Sequence, residues 1–259
     1  MRRALALLVP LAAAAGPASA QTMLDQEQRL IQIHSLLIDL PPVGAPGSYG
    51  PGQASLGLEV ITIPAIDGTT GSKRQITASD RTPAFPRPRL ALGLPAPDGF
   101  RAFAGVSYVP PIQIRGVSSH FGALEGGIAW APGPLRVGLR GHLLYAESKS
   151  PVSDPQTRDT LQTFELGADL SAGYGLGFGP VDLTPYAGVG VTRLAGDFRV
   201  ESDGYVISSR YAALALHGGL RMLLQDHWEV VAEMAVFPGR LVAPRFRAAY
   251  VLDWGAKPR

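Results

Sequence analysis

Residues 161–194 read LQTFELGADLSAGYGLGFGPVDLTPYAGVGVTRL. From Phe164 to Phe178 one parity is apolar throughout: Phe164, Leu166, Ala168, Leu170, Ala172, Tyr174, Leu176 and Phe178. The other parity, Thr163, Glu165, Gly167, Asp169, Ser171, Gly173 and Gly175, is polar or lacks a side chain. A period of two sustained this far, with the acids confined to one face, specifies a strand rather than a helix. Gly179-Pro180 makes a tight turn, and a second alternating run follows to Leu194. Length carries the further information. Soluble strands average about 5 to 6 residues, whereas a tilted membrane-spanning strand needs about 9 to 11. This one is long enough to cross a bilayer.

Working outward, ten stretches have the same character: 55–63, 86–94, 100–109, 117–130, 135–147, 161–178, 181–194, 208–223, 227–236 and 244–254. The connections alternate in length. Residues 64–85, 110–116, 148–160, 195–207 and 237–243 form the longer set, and 95–99, 131–134, 179–180 and 224–226 the shorter. The face pattern repeats from strand to strand. Leu135, Val137, Leu139, Leu143 and Tyr145 oppose Arg136, Gly138, Arg140 and His142. Ala212, Leu214, Leu216, Leu220 and Met222 oppose Tyr211, His217, Gly219 and Arg221, and Trp228, Val230, Ala232, Met234 and Val236 oppose His227, Glu229 and Glu233. A β-sandwich would alternate too, but with shorter strands.

The start of the chain is built differently. MRRALALLVPLAAAAGPASAQ places Arg2 and Arg3 before an apolar run and ends in Ala18-Ser19-Ala20, the layout of a secretory signal peptide over residues 1–20. Pro10 and Gly16-Pro17 interrupt the run, which is too short to span a membrane as a helix. Residues 22–40, TMLDQEQRLIQIHSLLIDL, can place Leu24, Ile31, Leu37 and Ile38 on one helical face, so a short amphipathic helix is expected there. Pro41-Pro42 ends it, and 43–53, VGAPGSYGPGQ, is a Gly/Pro-rich linker. Residues 21–54 are thus expected to form a periplasmic or plug segment, 55–254 the strands, and 255–259 a tail.

Without the two signal arginines, 23 basic and 21 acidic residues become 21 and 21, so charge argues for neither nucleic acid nor an acidic substrate. There is no cysteine, which excludes disulfides and thiol chemistry. After the signal no apolar run reaches about 18 residues, leaving a closed barrel as the way to occupy a bilayer without an unpaired sheet edge.

The end of the chain adds a second signal. Arg247, Ala249, Leu252 and Trp254 in RAAYVLDW resemble the C-terminal assembly signal of bacterial outer-membrane β-barrels, with Ala249 in place of the usual glycine and five residues trailing the final aromatic. With the alternation of short turns and longer loops, short side periplasmic, the resemblance to this broad class covers residues 55–254. It implies an all-β fold: a closed antiparallel transmembrane β-barrel of about ten strands, eight or twelve remaining open, in the Gram-negative outer membrane. Outer-membrane lipids and the barrel-assembly machinery are the implied partners.

If the apolar parity faces lipid, the other parity lines the lumen. Its basic residues are Arg87, Arg89, Arg101, Arg136, Arg140, Arg221, Arg245 and Arg247, and its acidic ones Glu59, Glu125, Glu165, Asp169, Asp182, Glu229, Glu233 and Asp253. His142 and His217 join them. Balanced charges in so narrow an interior are expected to pair with one another. The porin-like alternative is a passage for a small solute, for which Gly167, Gly173, Gly188, Gly190 and Gly219 would leave space. Tyr108, Trp130, Tyr145, Phe178, Trp228, Phe237 and Trp254 fit interfacial aromatic girdles.

Catalysis is not expected. Ser118, Ser119 and His120 are adjacent on a strand and point to opposite faces, and His34-Ser35 belongs to the N-terminal segment. His142 and His217, which could meet Glu165 or Asp169, are the residues a lipid- or peptide-hydrolysing barrel would use. No cofactor and no metal site is expected, and no phosphate loop or serine-nucleophile motif is present. The expectation is a structural or small-molecule transport barrel.

Overall fold

A computed structural model describes residues 41–61, 85–114, 117–150, 158–202, 204–239 and 241–254. The signal peptide expected over 1–20, the helix expected over 22–40 and the tail lie outside them. Eleven strand segments follow in order: β1 (Gln53–Ile61), β2 (Phe85–Leu94), β3 (Phe100–Ile114), β4 (Val117–Trp130), β5 (Leu135–Ser150), β6 (Asp159–Tyr174), β7 (Leu176–Phe178), β8 (Val181–Arg199), β9 (Val206–Leu224), β10 (Trp228–Phe237) and β11 (Leu241–Asp253). The segments β6 and β7 are one strand broken at Gly175, whose N–H leaves the ladder and donates to the Pro134 carbonyl. Both pair with β8.

Each strand pairs antiparallel with its sequence neighbours, and β1 pairs with β11, from Gln53 opposite Asp253 to Ile61 opposite Arg245. The ring therefore closes as a ten-stranded antiparallel β-barrel. Closure leaves no row of unpaired N–H and C=O groups facing lipid.

At one end the turns are tight. The turn between β9 and β10 holds Gln225 and Asp226 at φ of 51° and 60°, the doubly left-handed geometry that suits a two-residue hairpin. At the other end the strands run further than the apolar alternation suggests. Of the connections expected over 110–116 and 195–207, residues 110–114, 195–199 and 206–207 are strand: β3 and β4 pair up to Ile114 opposite Val117, and β8 and β9 up to Arg199 opposite Val206. Beyond the apolar belt exposed polar residues such as Gln113, Asp197 and Arg199 take over, so the sequence alternation ends while backbone pairing continues. Pro110-Pro111 is absorbed by a register shift between Val109 and Ile112, the usual accommodation for proline within a ladder.

One seam is short. The pairing of β2 with β3 spans only Arg89 opposite Ser107 to Leu94 opposite Ala102, whereas β2 stays paired to β1 as far as Phe85. Pro86 and Pro88 on β2, and Pro110 and Pro111 on β3, have no N–H to offer across it.

The outward parity is the apolar one. Leu56, Leu90, Leu124, Leu139, Leu166, Leu170, Val191, Leu214 and Leu252 are exposed around the wall, an arrangement that suits lipid and not water. Trp130, Phe178, Trp228 and Trp254 are exposed near the tight turns, with Tyr108 and Tyr145 toward the other end. Phe237, grouped above with this girdle, instead points inward and is 1% exposed. It shares the parity of Glu229, Val231, Glu233 and Ala235, all buried, and the pleat fixes its direction.

Candidate functional site

The barrel interior is the candidate site, and pairing register decides its chemistry. Glu59 stands opposite Arg87, Arg140 opposite Asp169, and Glu233 opposite Arg245, which brings opposite charges across adjacent strands. Arg87 Nη2 lies 2.5 Å from Glu59 Oε2, and Arg89 reaches Glu59 Oε1 at 3.1 Å while also bonding Glu125. Arg140 Nε meets Asp169 Oδ2 at 2.7 Å, and His217 Nε2 lies 3.8 Å from Asp169 Oδ1. His142 Nε2 sits 3.0 Å from Glu165 Oε1. Glu229 is held by Arg221 at 2.5 Å and Arg247 at 3.2 Å, and Glu233 by Arg245 and by the Tyr186 hydroxyl, which donates at 2.6 Å. Burial makes these pairs mutually dependent, since a buried charge without its partner is costly.

Most of the charges assigned to the lumen are buried there: Glu59, Arg87, Arg89, Glu125, Arg140, His142, Glu165, Asp169, His217, Arg221, Glu229, Glu233, Arg245 and Arg247. Arg101 and Arg136 are partly buried at the tight-turn end, on either side of Gly47. Asp182 is partly exposed and Asp253 exposed, because the inward parity opens to solvent where strands end. Of the four residues of the assembly signal, Arg247 and Ala249 point inward, whereas Leu252 and Trp254 point out.

The lattice does not enclose an empty pore. Residues 41–50, the Gly/Pro-rich linker, run through the lumen to join β1 at the tight-turn end. Arginines from five strands donate to its backbone carbonyls: Arg245 to Pro41, Arg140 to Pro42, Arg89 to Val43 at 2.5 Å, Arg101 to Gly47 at 3.1 Å and Arg221 to Ser48 at 3.4 Å. The Val43 N–H donates to Glu59 Oε1 at 3.1 Å, and the Tyr49 hydroxyl to Glu229 Oε2 at 3.0 Å. A segment outside any sheet carries unpaired peptide groups into the interior, and the guanidinium groups satisfy them. Gly47 takes a φ of +63°, a backbone conformation open to glycine, between Arg101 and Arg136. Val43 and Ala45 pack with Tyr186 and Val231.

The lumen glycines do not leave a passage. A side chain at Gly167 would collide with the His142 ring, at Gly188 with the His217 ring, and at Gly219 with the Ala232 carbonyl and, at 3.0 Å, the Tyr186 hydroxyl. Their space is already used by neighbouring side chains. The gap bounded by Pro41, Arg140, Asp169, His217 and Arg245 has a cavity volume of about 10 Å³, room for about one water molecule. Elsewhere, Ser119 Oγ pairs with Ser148 Oγ at 3.0 Å and the His120 ring packs on Tyr145, so the Ser118-Ser119-His120 run brings no histidine to a serine. Among the described residues no group of three or more His, Asp or Glu side chains could hold a metal ion.

Tyr49 is not among the sequence candidates, and the linker enters them only as part of the periplasmic or plug segment 21–54. Their signal was composition: small and cyclic residues such as Gly44, Ala45, Pro46, Gly47 and Ser48 suit a chain that must fit between arginines.

Residues 89–237 match the family described as outer membrane protein beta-barrel domain. The chain belongs to that family, and with it to the barrels of the bacterial outer membrane. No curated protein matches the chain in sequence. Among solved structures, the translocator domain of autotransporter NalP from Neisseria meningitidis is 10% identical, with a TM-score of 0.44 over 87% of this chain and 94% of that one. LpxR from Salmonella typhimurium is 10% identical, with a TM-score of 0.38 over 76% of this chain and 99% of that one. The Pseudomonas putida toluene transporter TodX is 13% identical, with a TM-score of 0.35 over 86% and 72%. At these values the similarities carry no functional weight.

Proposed function

We propose that this family member is exported through its signal segment, inserted by the barrel-assembly machinery that recognises its last strand, and works as a closed structural barrel whose pore is stopped by its own residues 41–50. The observation that carries the reading is the set of arginine bonds to the carbonyls of Pro41, Pro42, Val43, Gly47 and Ser48. An open channel for a small solute would leave such arginines facing water or cargo. Here they are spent on the protein's own backbone. The reading assigns no catalysis and no cofactor: His142 is hydrogen-bonded to Glu165, His217 Nε2 lies 3.8 Å from Asp169, and neither histidine is bonded to a serine.

Conductance in planar bilayers tests this. The intact mature barrel is expected to be silent, and deletion of residues 42–49 to produce stable ion conductance. Gly93→Val is the second variant, because a side chain there would collide with the Gly50 carbonyl and displace the end of the threaded segment without removing it. Steady conductance by the intact barrel would refute the reading, as would a folded deletion variant that stays silent.

A further inference from the structure

Through most of the lumen a guanidinium faces a carboxylate: Arg87 and Arg89 face Glu59, Arg140 faces Asp169, Arg221 and Arg247 face Glu229, and Arg245 faces Glu233. The tight-turn mouth departs from this pattern. Arg101 on β3 stands opposite Ala129 of β4, and Ala129 opposite Gly138, two positions along β5 from Arg136. The two arginines thus flank one small inward residue. Gly47 of the threaded segment lies over it: a side chain there would come 3.3 Å from Ala129 Cβ and 3.7 Å from the Cδ atoms of both Arg101 and Arg136. Arg101 donates to the Gly47 carbonyl at 3.1 Å, and Arg221, from β9, to the next carbonyl, that of Ser48, at 3.4 Å. Three guanidinium groups therefore gather around two consecutive residues.

Their charges are unequally answered. Arg221 has Glu229 at 2.5 Å, whereas Arg101 has only a carbonyl. Arg136 has neither, and its Nε and Nη1 are buried with no hydrogen-bond partner among the described residues. The Asp182 carboxylate on β8 acts on Arg136 without forming an ion pair, and less strongly than the repulsion from Arg221 and Arg101. Like charges drawn together and partly withdrawn from water repel, and an anion between them would relieve the repulsion.

We propose that Arg101 and Arg136 form an anion site at the tight-turn mouth that takes a phosphate group, either a free phosphate ion or a lipid phosphate monoester. Planar guanidinium forks match an oxyanion with several oxygens, and two unanswered positive charges match a dianion. Both side chains are partly exposed, so the site is reached from solvent. The outward Phe100 and Trp130, exposed and opposite one another, mark the interface at the same height, which puts a headgroup within the same level as the site. The site goes beyond the closed-barrel reading and uses only the place of Gly47 in the lumen.

The test is calorimetric titration of the full mature chain, in neutral detergent micelles, with inorganic phosphate against chloride at matched ionic strength. Arg136→Gln and Arg101→Gln are each expected to weaken phosphate binding about ten-fold, the loss of one charge-assisted pair. Asp182→Asn, which removes the opposing carboxylate, is expected to tighten it about two-fold, and this variant reports even where an arginine variant fails to fold. Urea unfolding without phosphate separates binding from structure: Arg136→Gln is expected to be no less stable than the parent. Competition with micelles carrying a lipid phosphate monoester then names the source, since displacement of the bound ion supports a headgroup and its absence supports the free ion. Phosphate held no more tightly than chloride, or equally by the parent and the arginine variants, overturns the proposal.

Discussion

The two halves of the lumen hold their contents by opposite means. At the tight-turn half, strands present Arg and Glu to a segment of mostly small and cyclic residues, and the bonds to it are directional: Arg89 serves Glu59, Glu125 and the Val43 carbonyl together. At the other half, Phe121, Leu144 and Leu194 are buried in apolar clusters, touched by the lattice where Arg87 lies 5.0 Å over the Phe121 ring. A polar lattice fixes one chain segment in one register, because each misplaced carbonyl strands a buried guanidinium. An apolar wall specifies only that something apolar lies against it. The first half therefore reads as a lock and the second as packing.

Four measurements would break or sharpen this contrast. The largest effect is expected at Glu59, which accepts from Arg87, Arg89 and the Val43 N–H. Glu59→Gln should cost about 3 to 5 kcal/mol by urea unfolding in vesicles, since it leaves two buried arginines short of a counter-charge. Equal stability of the variant and the parent would mean that the lattice is not what holds this half. In the apolar half, Leu144→Ala should cost about 2 to 4 kcal/mol by the same assay. An unchanged stability would mean that the cluster of Val109, Phe121, Ala123, Leu144 and Ala146 does not hold this half. On the outside, Leu170→Arg should cost about 2 to 3 kcal/mol, because Leu170 is lipid-facing near mid-strand. A neutral effect there would invert the assignment of faces for both halves. The smallest signal is expected at the seam: amide exchange at Leu90 and Val106, the pair next to its last, should be faster than at the well-paired Leu139 and Leu170.

Much of the barrel was legible in the chain. The alternation from Phe164 to Tyr174 places Glu165 and Asp169 inward and Leu166 and Leu170 outward, as the structure has them, because a pleat allows no other arrangement. The strand extensions beyond the belt are not legible, since apolar alternation fades where exposed polar residues such as Gln113, Asp197 and Arg199 replace the outward apolar ones. Phe237 was misplaced for another reason: its aromatic character was weighed above its parity. The polarity change along the inward face was present in the sequence, for instance in the order Arg140, His142, Leu144, Ala146. It becomes visible only when inward residues are read by height as well as by face.

What the sequence determined by itself was the set of local choices: long strands, tight turns, one apolar and one charged parity, and no cysteine. Each follows from the period of two and from what a bilayer tolerates. What the tertiary structure alone decided was which charge meets which, and where the linker goes. Register sets Arg140 against Asp169 and Glu233 against Arg245, and register is a relation between strands that no single strand encodes. Residues 41–50 have no periodicity to announce a partner. Their place in the lumen follows from unpaired carbonyls meeting surplus guanidinium donors once the ring has closed.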